Sequence, residues 1–387
     1  MKRIIINKRN NELSAVVLEN GNLVEIMQET HLDSSLLGNI YAAVVKNKTM
    51  DFIFLDIGTT KQAFLDCGDH REEGLFNDGR TVKQGDTLIV QIIKDSVGKK
   101  GPVGTSEISL VGKFIVLLKS NKIKELKVSK KIKSQHECER LKKIGESIVP
   151  IGFSAIFRSA SEGKDEILLK KDIELLLAQF EGHESWQFIK GPSAILLESP
   201  LIRILRDICA YDADEIVLDD LQMYNEVMTG FKHLFADSNT KICYYESEIC
   251  ILRHFSVQNQ IDKLSEKHIW LKCGGYIVIE KTEACTVIDV NTGKMIGKKA
   301  DSLKLRVNYE AALEIARQLR LRNISGIIII DFISMKSQEQ SSELTKYLQE
   351  ILAQDRIPSV VVGMTKLGLM EVTRKRARNY FDAFKSK

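Results

Sequence analysis

The sequence has no apolar run long enough to span a bilayer. Its start, Met1-Lys2-Arg3 before Ile4-Ile5-Ile6, carries an apolar stretch too short for a signal peptide. It has no Cys-x-x-Cys pair. Its cysteines (Cys67, Cys138, Cys209, Cys243, Cys250, Cys273 and Cys285) are odd in number and scattered, so neither a zinc site nor a disulfide framework is implied. That usage fits a reducing, cytoplasmic location. It also lacks a strong excess of one charge. The net charge of +4 does not by itself call for a nucleic-acid partner, so the placement of the charges matters more than their sum. No internal repeat or low-complexity segment is visible.

What is present is enough for a folded chain of two or three domains: 387 residues, 44% hydrophobic and 28% charged. Residues 4–6, 14–18 and 23–27 read as short strands, with Asn20-Gly21-Asn22 as a hairpin turn. Residues 51–58 alternate, with Ile53, Leu55 and Ile57 on one face and Phe52, Phe54 and Asp56 on the other. Further short strands at 62–65 and 87–94, with a turn at Gly85-Asp86, suggest a small barrel. A lysine-rich stretch around 119–133 reads as a solvated face. It is followed by a strand at 154–157 ending at Arg158-Ser159, then a helix over about 164–190 that stops at Gly191-Pro192. A strand is expected at 215–218 and a helix over 257–270.

The last third is richest in pattern. Gly274-Gly275 turns into a strand at 276–280, and a second strand at 283–290 is apolar near its end except for Asp289. The spacing predicts a helix over 308–322, with Tyr309, Leu313, Ala316 and Leu319 on its stripe. Ile327 to Ile330 then reads as a fully buried strand closing on Asp331. This strand–helix–strand order predicts parallel neighbours. A helix at 337–353 and a strand at 359–362 are expected to repeat the theme.

Two aspartates ending neighbouring parallel strands would share one sheet edge, where open α/β sheets bind ligands. Their like charges repel unless a cation sits between them, and hard oxygen donors suit Mg²⁺. An aspartate after an apolar strand serves equally well as a helix cap, and Asn291 as a ligand-orienting amide or a turn residue. Spacing alone leaves these readings open. So it does for Phe54, as a base-stacking ring or a packing contact, and for Lys94 and Lys100, as phosphate partners or ordinary surface lysines.

Longer strings narrow the choice. Gly274-Gly275-Tyr276-Ile277-Val278-Ile279-Glu280, Ile288-Asp289-Val290-Asn291-Thr292-Gly293, Asn308-Tyr309-Glu310-Ala311-Ala312 and Glu314-Ile315-Ala316-Arg317-Gln318-Leu319-Arg320-Leu321-Arg322 resemble the catalytic region of the ribonuclease E/G family. The similarity continues through Ile330-Asp331-Phe332-Ile333 and Thr365-Lys366-Leu367-Gly368-Leu369-Met370-Glu371 to Thr373-Arg374-Lys375-Arg376. Asn39-Ile40-Tyr41, Phe54-Leu55-Asp56-Ile57-Gly58 and Gly98-Lys99-Lys100-Gly101 look like that family's OB-fold insertion.

The resemblance implies a multidomain α/β fold. An RNase H-like subdomain (1–35 and 202–264) would hold an inserted OB-fold barrel (36–111) and a 5′-sensor subdomain (112–201), with a DNase I-like catalytic subdomain at 265–387. It implies a Mg²⁺-dependent endoribonuclease, with Mn²⁺ as an alternative ion. Such an enzyme hydrolyses phosphodiester bonds in single-stranded RNA to leave 5′-phosphate products, in rRNA processing and mRNA decay. Asp289 and Asp331 match the metal-binding aspartates and Asn291 a catalytic asparagine. Phe54, Phe64 and Lys100 match RNA-contacting residues, and Arg158 and Ser159 a pair that senses a 5′-monophosphate. Arg374, Lys375 and Arg376 would line an RNA path or cap the last helix.

The chain departs from the family pattern in places. The family's Cys-x-x-Cys segment is absent, so zinc is not expected, and a homodimer would form without a zinc link. Ser159 replaces threonine but keeps the hydroxyl. Lys130-Lys131 stand where an arginine pair is common, keeping charge but not the planar fork. A non-catalytic RNA-binding regulator on the same fold is the alternative from another class. A DNA nuclease is a third option, since an OB fold alone does not tell RNA from DNA.

Overall fold

The computed structural model describes residues 1–10, 12–30, 35–66, 81–96, 100–119, 124–180, 183–186, 188–208, 213–231, 235, 239–293, 300–335 and 337–375. Cys67, Gly98, Lys99, Lys122, Cys209 and Arg376 lie outside the described residues. The chain is mixed α/β and divides into two units, residues 1–30, 213–224 and 240–387 in the first and 31–212 and 225–239 in the second.

The first unit opens with a meander of β1 (Lys2–Arg9), β2 (Glu12–Glu19) and β3 (Asn22–Thr30). Asn20 and Gly21 make its turn with positive φ, as the Asn-Gly pair predicts.

In the second unit, β4 (Ile40–Lys48), β5 (Phe52–Asp56), β6 (Ala63–Asp66), β7 (Thr87–Lys94) and β8 (Val103–Thr105) pair in the order β4-β5-β6-β8-β7. A β4–β7 pairing closes them into a five-strand barrel, consistent with an OB-like fold. Ile53, Leu55, Ile57, Ala63, Leu65, Leu88 and Val90 fill its interior, so the alternation read from residues 51–58 fixes which side is core. The remaining strands are β9 (Ser109–Val111), β10 (Ile115–Lys119), β11 (Leu126–Val128), β12 (Phe153–Phe157) and β13 (Ser193–Leu196). β13 flanks the barrel on β4, while β11-β12-β10-β9 form a separate four-stranded sheet.

Helices Gln135–Ile148 and Glu166–Gln179 accompany that sheet. The expected helix over 164–190 therefore ends near 179, and a short turn of helix, His183–Trp186, follows. The helix at 135–148 went unread because its apolar positions sit among lysines. Ser134 caps its start by accepting from the Glu137 amide at 3.3 Å. Glu137 then receives two parallel bonds from Arg140, each 2.7 Å, and one from the Gly163 amide at 2.8 Å. Chiefly through the Arg140 bonds, its carboxyl is held down at about 2.

Back in the first unit, β14 (Glu215–Leu218) and β15 (Lys241–Tyr244) run parallel to β1, completing a sheet of order β15-β14-β1-β2-β3. A second sheet contains β16 (His268–Trp270), β17 (Tyr276–Lys281), β18 (Cys285–Asn291), β19 (Gly326–Asp331), β20 (Ser359–Met364) and β21 (Met370–Arg374). Its order is β16-β17-β18-β19-β21-β20. Residues 268–270, expected to be helical, are strand: the helix there ends at Asp262 and one 3-10 turn follows it. β18 and β19 are parallel, as their strand–helix–strand order predicts. The helix and strand expected next are present as Gln338–Leu352 and β20, and β20 runs in the same direction as β19. The two strands are not neighbours, because β21 lies between them, antiparallel to both.

Helices Ala300–Leu321 and Gln338–Leu352 pack on one face of this sheet, over Ile277, Ile279, Ile288, Val290, Ile328 and Ile330. The buried stripe of the longer helix is Val307, Ala311, Ala312, Ile315, Ala316 and Leu319; Leu313 is half exposed. The Ile327–Ile330 run is not buried throughout. Ile328 and Ile330 enter the core, while Ile327 faces out at 53% exposure. Isoleucine on both faces concealed an alternation that only the packed helices reveal.

Asn308 is fully buried within this helical layer. Its Nδ2 donates to the Ile333 carbonyl at 2.8 Å, and its Oδ1 accepts from the Ile333 amide at 3.0 Å. The chain two residues beyond Asp331 is thereby tied to the helix. Asn308→Ala leaves both backbone groups without these bonds and is expected to destabilise the first unit by about 2–4 kcal/mol. Asn308→Asp, which buries a carboxylate and sets one of its oxygens against the Ile333 carbonyl, should cost at least as much at pH 7; urea unfolding of the two variants checks this order. Glu137 yields an acid-stability prediction for the second unit. Its folded carboxyl titrates below the ordinary value of 4.5, so its contribution is complete above that pH and is lost as pH falls toward about 2. Glu137→Gln should lower stability at pH 7 by roughly 1.5–3 kcal/mol and flatten the loss between pH 4.5 and 2, as read by denaturation across pH.

Candidate active site and nucleic-acid surface

Asp289 and Asp331 occupy the same register position on the parallel strands β18 and β19. Register partners on paired strands present their side chains to the same face, about 4.8 Å apart along the hydrogen-bonding direction. Thr286, Ile288 and Val290 of β18, with Ile328 and Ile330 of β19, point into the core, so alternation sends both aspartates to the opposite, open face, where both are exposed. Asn291, two residues after Asp289, shares that face, and its Nδ2 donates to Asp289 Oδ2 at 2.7 Å. Among the described residues, nothing else bonds to Asp289 and nothing pairs with the Asp331 carboxylate.

The glycines around β18 have a packing reason. A Cβ on Gly275 would stand 2.8 Å from the Asn291 carbonyl oxygen, and one on Gly293 would stand 2.3 Å from the Gly274 oxygen. Gly293 also has φ of +64°. The Gly274-Gly275 turn is thus pressed against the strand end that carries Asn291. The Cys273 amide in that turn donates to Glu310 Oε1 at 3.1 Å, tying it to the long helix as well. Asn291 below, and Asn308 through Ile333, hold the two strand ends.

Two unpaired carboxylates side by side repel one another, and a bound cation relieves that repulsion. All their donors are hard oxygens, which suits a hydrated divalent ion. Among the described residues no group of three or more His, Cys, Asp or Glu side chains gathers to hold a metal. A two-carboxylate site leaves the other positions to water and substrate. The pair sits on an open sheet face, and neither aspartate lines the cleft of about 410 Å³ formed by Asp219, Tyr244, Glu246 and Glu248 in the same unit. An open face suits a polymer strand better than a small enclosed ligand.

On the barrel, Phe54 and Phe64 are direct cross-strand partners. Val103 of β8 lies opposite both Phe64 and Lys94, so the pairings carry one row from Phe54 through Phe64 to Lys94 on the outer wall. Lys100 is exposed ahead of β8. Phe52 belongs to the same face by alternation. It is 38% exposed, and its ring meets that of Phe64 edge-on, centroids 5.7 Å apart. The period-two alternation with Phe54 was the signal for it.

Arg158 and Ser159 follow β12 in the four-stranded sheet. Arg158 Nη1 donates to the Gly112 carbonyl at 2.7 Å, and Nη2 lies 3.5 Å from Asp207. Beneath them, the buried Asp172 accepts from the amides of Lys113, Phe114 and Ile115, and burial pushes its carboxyl up. The Gly112–Lys113 turn that Arg158 grips is therefore itself fixed. Arg374 neither lines a surface path nor caps a helix. It is buried in β21, with Nε on Asp355 at 3.0 Å and Nη1 on the Ile324 carbonyl at 2.9 Å. Lys375 is exposed. Among the described residues no helix is long and apolar enough to cross a membrane.

Residues 109–377 match the model of the ribonuclease E/G family. Ribonuclease G of Escherichia coli (strain K12) is 32% identical across 97% of this chain and 80% of its own length. Ribonuclease G of Haemophilus influenzae is 33% identical, with 97% of this chain and 79% of its own length covered. Ribonuclease E of Synechocystis sp. is 32% identical across 99% of this chain but 58% of its own length. The matched span takes in nearly the whole chain, and on that ground the chain belongs to the ribonuclease E/G family.

Proposed function

We propose that this chain is a Mg²⁺-dependent endoribonuclease that hydrolyses phosphodiester bonds in single-stranded RNA and leaves 5′-phosphate products, acting in the cytoplasm in RNA processing and decay. The observation that carries the proposal is the register of Asp289 against Asp331, with Asn291 bonded to the first, in a chain whose relatives are ribonucleases G and E. Five free cysteines among the described residues support the cytoplasm.

Asp289 and Asp331 would hold the ion, which supplies Lewis-acid polarisation of the phosphodiester and acidification of an attacking water. The chain's own part is positioning. Asn291 occupies one oxygen of Asp289, which orients that carboxylate toward the open face. Phe54 and Phe64 stack bases, and Lys94 and Lys100 neutralise phosphates along the strand. Arg158 and the Ser159 hydroxyl read a 5′-monophosphate. The proposed divisions are an RNase H-like part (1–35 and 202–264), which draws residues from both units, the OB barrel (36–111), the sensor (112–201) and a DNase I-like catalytic part (265–387). The strand order β15-β14-β1-β2-β3, with three parallel members, supports the first of these.

Asp289→Asn and Asp331→Asn should each lower cleavage of a labelled single-stranded RNA by at least about 10²-fold. RNA affinity should stay within about threefold of wild type. Cutting at the wild-type rate by either variant would refute the assignment; wild-type protein that binds RNA but never cuts it, in Mg²⁺ or Mn²⁺, would favour an RNA-binding regulator. On the barrel, Phe54→Ala or Phe64→Ala should weaken single-stranded RNA binding by about 5- to 100-fold. Lys94→Ala should shrink the slope of log affinity against log salt by about 0.7. Titrations at several salt concentrations measure both, and a matched DNA oligonucleotide tests the preference for RNA.

A further inference from the structure

Trp270 is 71% exposed, an unusual position for the largest apolar side chain. It stands opposite Tyr276 across β16 and β17, and Tyr276 stands opposite Asn291 across β17 and β18. The two rings have centroids 5.2 Å apart with planes inclined at 55°, and the His268 ring lies 5.9 Å from that of Tyr276. Register partners share a face, so Trp270, Tyr276 and Asn291 form one row across three strands, on the face that carries Asp289 and Asp331. Two interstrand spacings, about 10 Å, separate the ends of this row. Lys272, in the turn between β16 and β17, is exposed.

From this row we infer that Trp270 and Tyr276 form a base-stacking platform for a nucleotide flanking the phosphodiester held at Asp289 and Asp331. The inference rests on the reading of that carboxylate pair as the cleavage centre. Three features select a nucleic-acid base as the occupant. The row is continuous with the carboxylate pair, so a strand bound at one runs past the other. Aromatic faces stack any base without regard to sequence. An exposed lysine in the turn that joins the two ring-bearing strands suits the phosphate backbone that follows a stacked base. The platform lies on the catalytic sheet itself, so it would register the strand at the bond to be cut.

The chain's two tryptophans make this measurable. Trp186 is buried and stacked on Phe180 at 5.9 Å, which leaves Trp270 as the solvent-accessible reporter. Asp289→Asn protein, which should leave RNA intact, is titrated with a short single-stranded oligoribonucleotide while tryptophan emission and filter binding are followed together. Binding should quench the emission, and the quench should vanish in Trp270→Phe. In the otherwise native chain, Trp270→Ala should raise KM or Kd by about 5- to 100-fold, with Trp270→Phe recovering most of it. An abasic nucleotide next to the cleaved bond should weaken binding to the native chain and not to Trp270→Ala. Binding without quenching, together with wild-type affinity for Trp270→Ala, overturns the platform and leaves the cleavage centre standing. A change in sedimentation of Trp270→Ala without a change in RNA affinity also overturns it, making the row a protein contact. Failure of the native chain both to bind and to cut removes the cleavage-centre reading, and this inference with it.

Discussion

Parallel pairing of β18 with β19 is the constraint on which the site depends. Both strands leave the core at the same sheet edge, and hydrogen-bond register sets Asp289 beside Asp331. A slip of one residue in either strand would turn an aspartate into the apolar layer and an isoleucine out of it, at a cost in both directions. The packed helices oppose such a slip. Ile288 and Ile330 are fully buried beneath the aspartates, and the Ala-rich stripe of the long helix lies against them. The core therefore does more than stabilise the first unit. It fixes the spacing of two like charges that have no neutralising partner among the described residues.

The face bearing those charges remains open, and its composition follows from that. Val287 and Ile327 are exposed on the two aspartate-bearing strands, as are Val360 and Val362 on β20 and Trp270 on β16. Among the described residues helices cover this sheet on one face only, so alternate residues of its strands are presented to whatever binds the other. Hence a short stretch of this sheet offers carboxylates, an amide, aromatic rings and apolar side chains at once. The barrel in the second unit presents a comparable row of rings and lysine by the same alternation.

Where side-chain pattern decides structure, the sequence was legible. Residues 51–58 separate core from outer wall residue by residue, and the barrel follows from them. The order strand, helix, strand around residues 283–331 predicts the parallel pair. Where the pattern is degenerate, reading it failed. Four isoleucines in a row conceal which are buried. Residues 268–270, placed in a helix, belong instead to an edge strand, because pairing with β17 outweighs local propensity. Arg374 stands in a basic cluster that reads as surface charge, whereas its salt bridge to the buried Asp355 lies between residues 19 apart and leaves no local pattern. Asn308 carries no pattern of its own in the sequence. Its two bonds to Ile333 could not be read from sequence, since the partner is a backbone segment 25 residues away.

Metal binding tests the central claim more directly than catalysis, because it depends on the carboxylate pair alone. Mn²⁺ added to the full chain and followed by electron paramagnetic resonance reports bound against free ion. The account predicts saturable binding to the native chain, competed by Mg²⁺ and lost in both Asp289→Asn and Asp331→Asn. Undiminished binding in either variant, or none in the native chain, would contradict it.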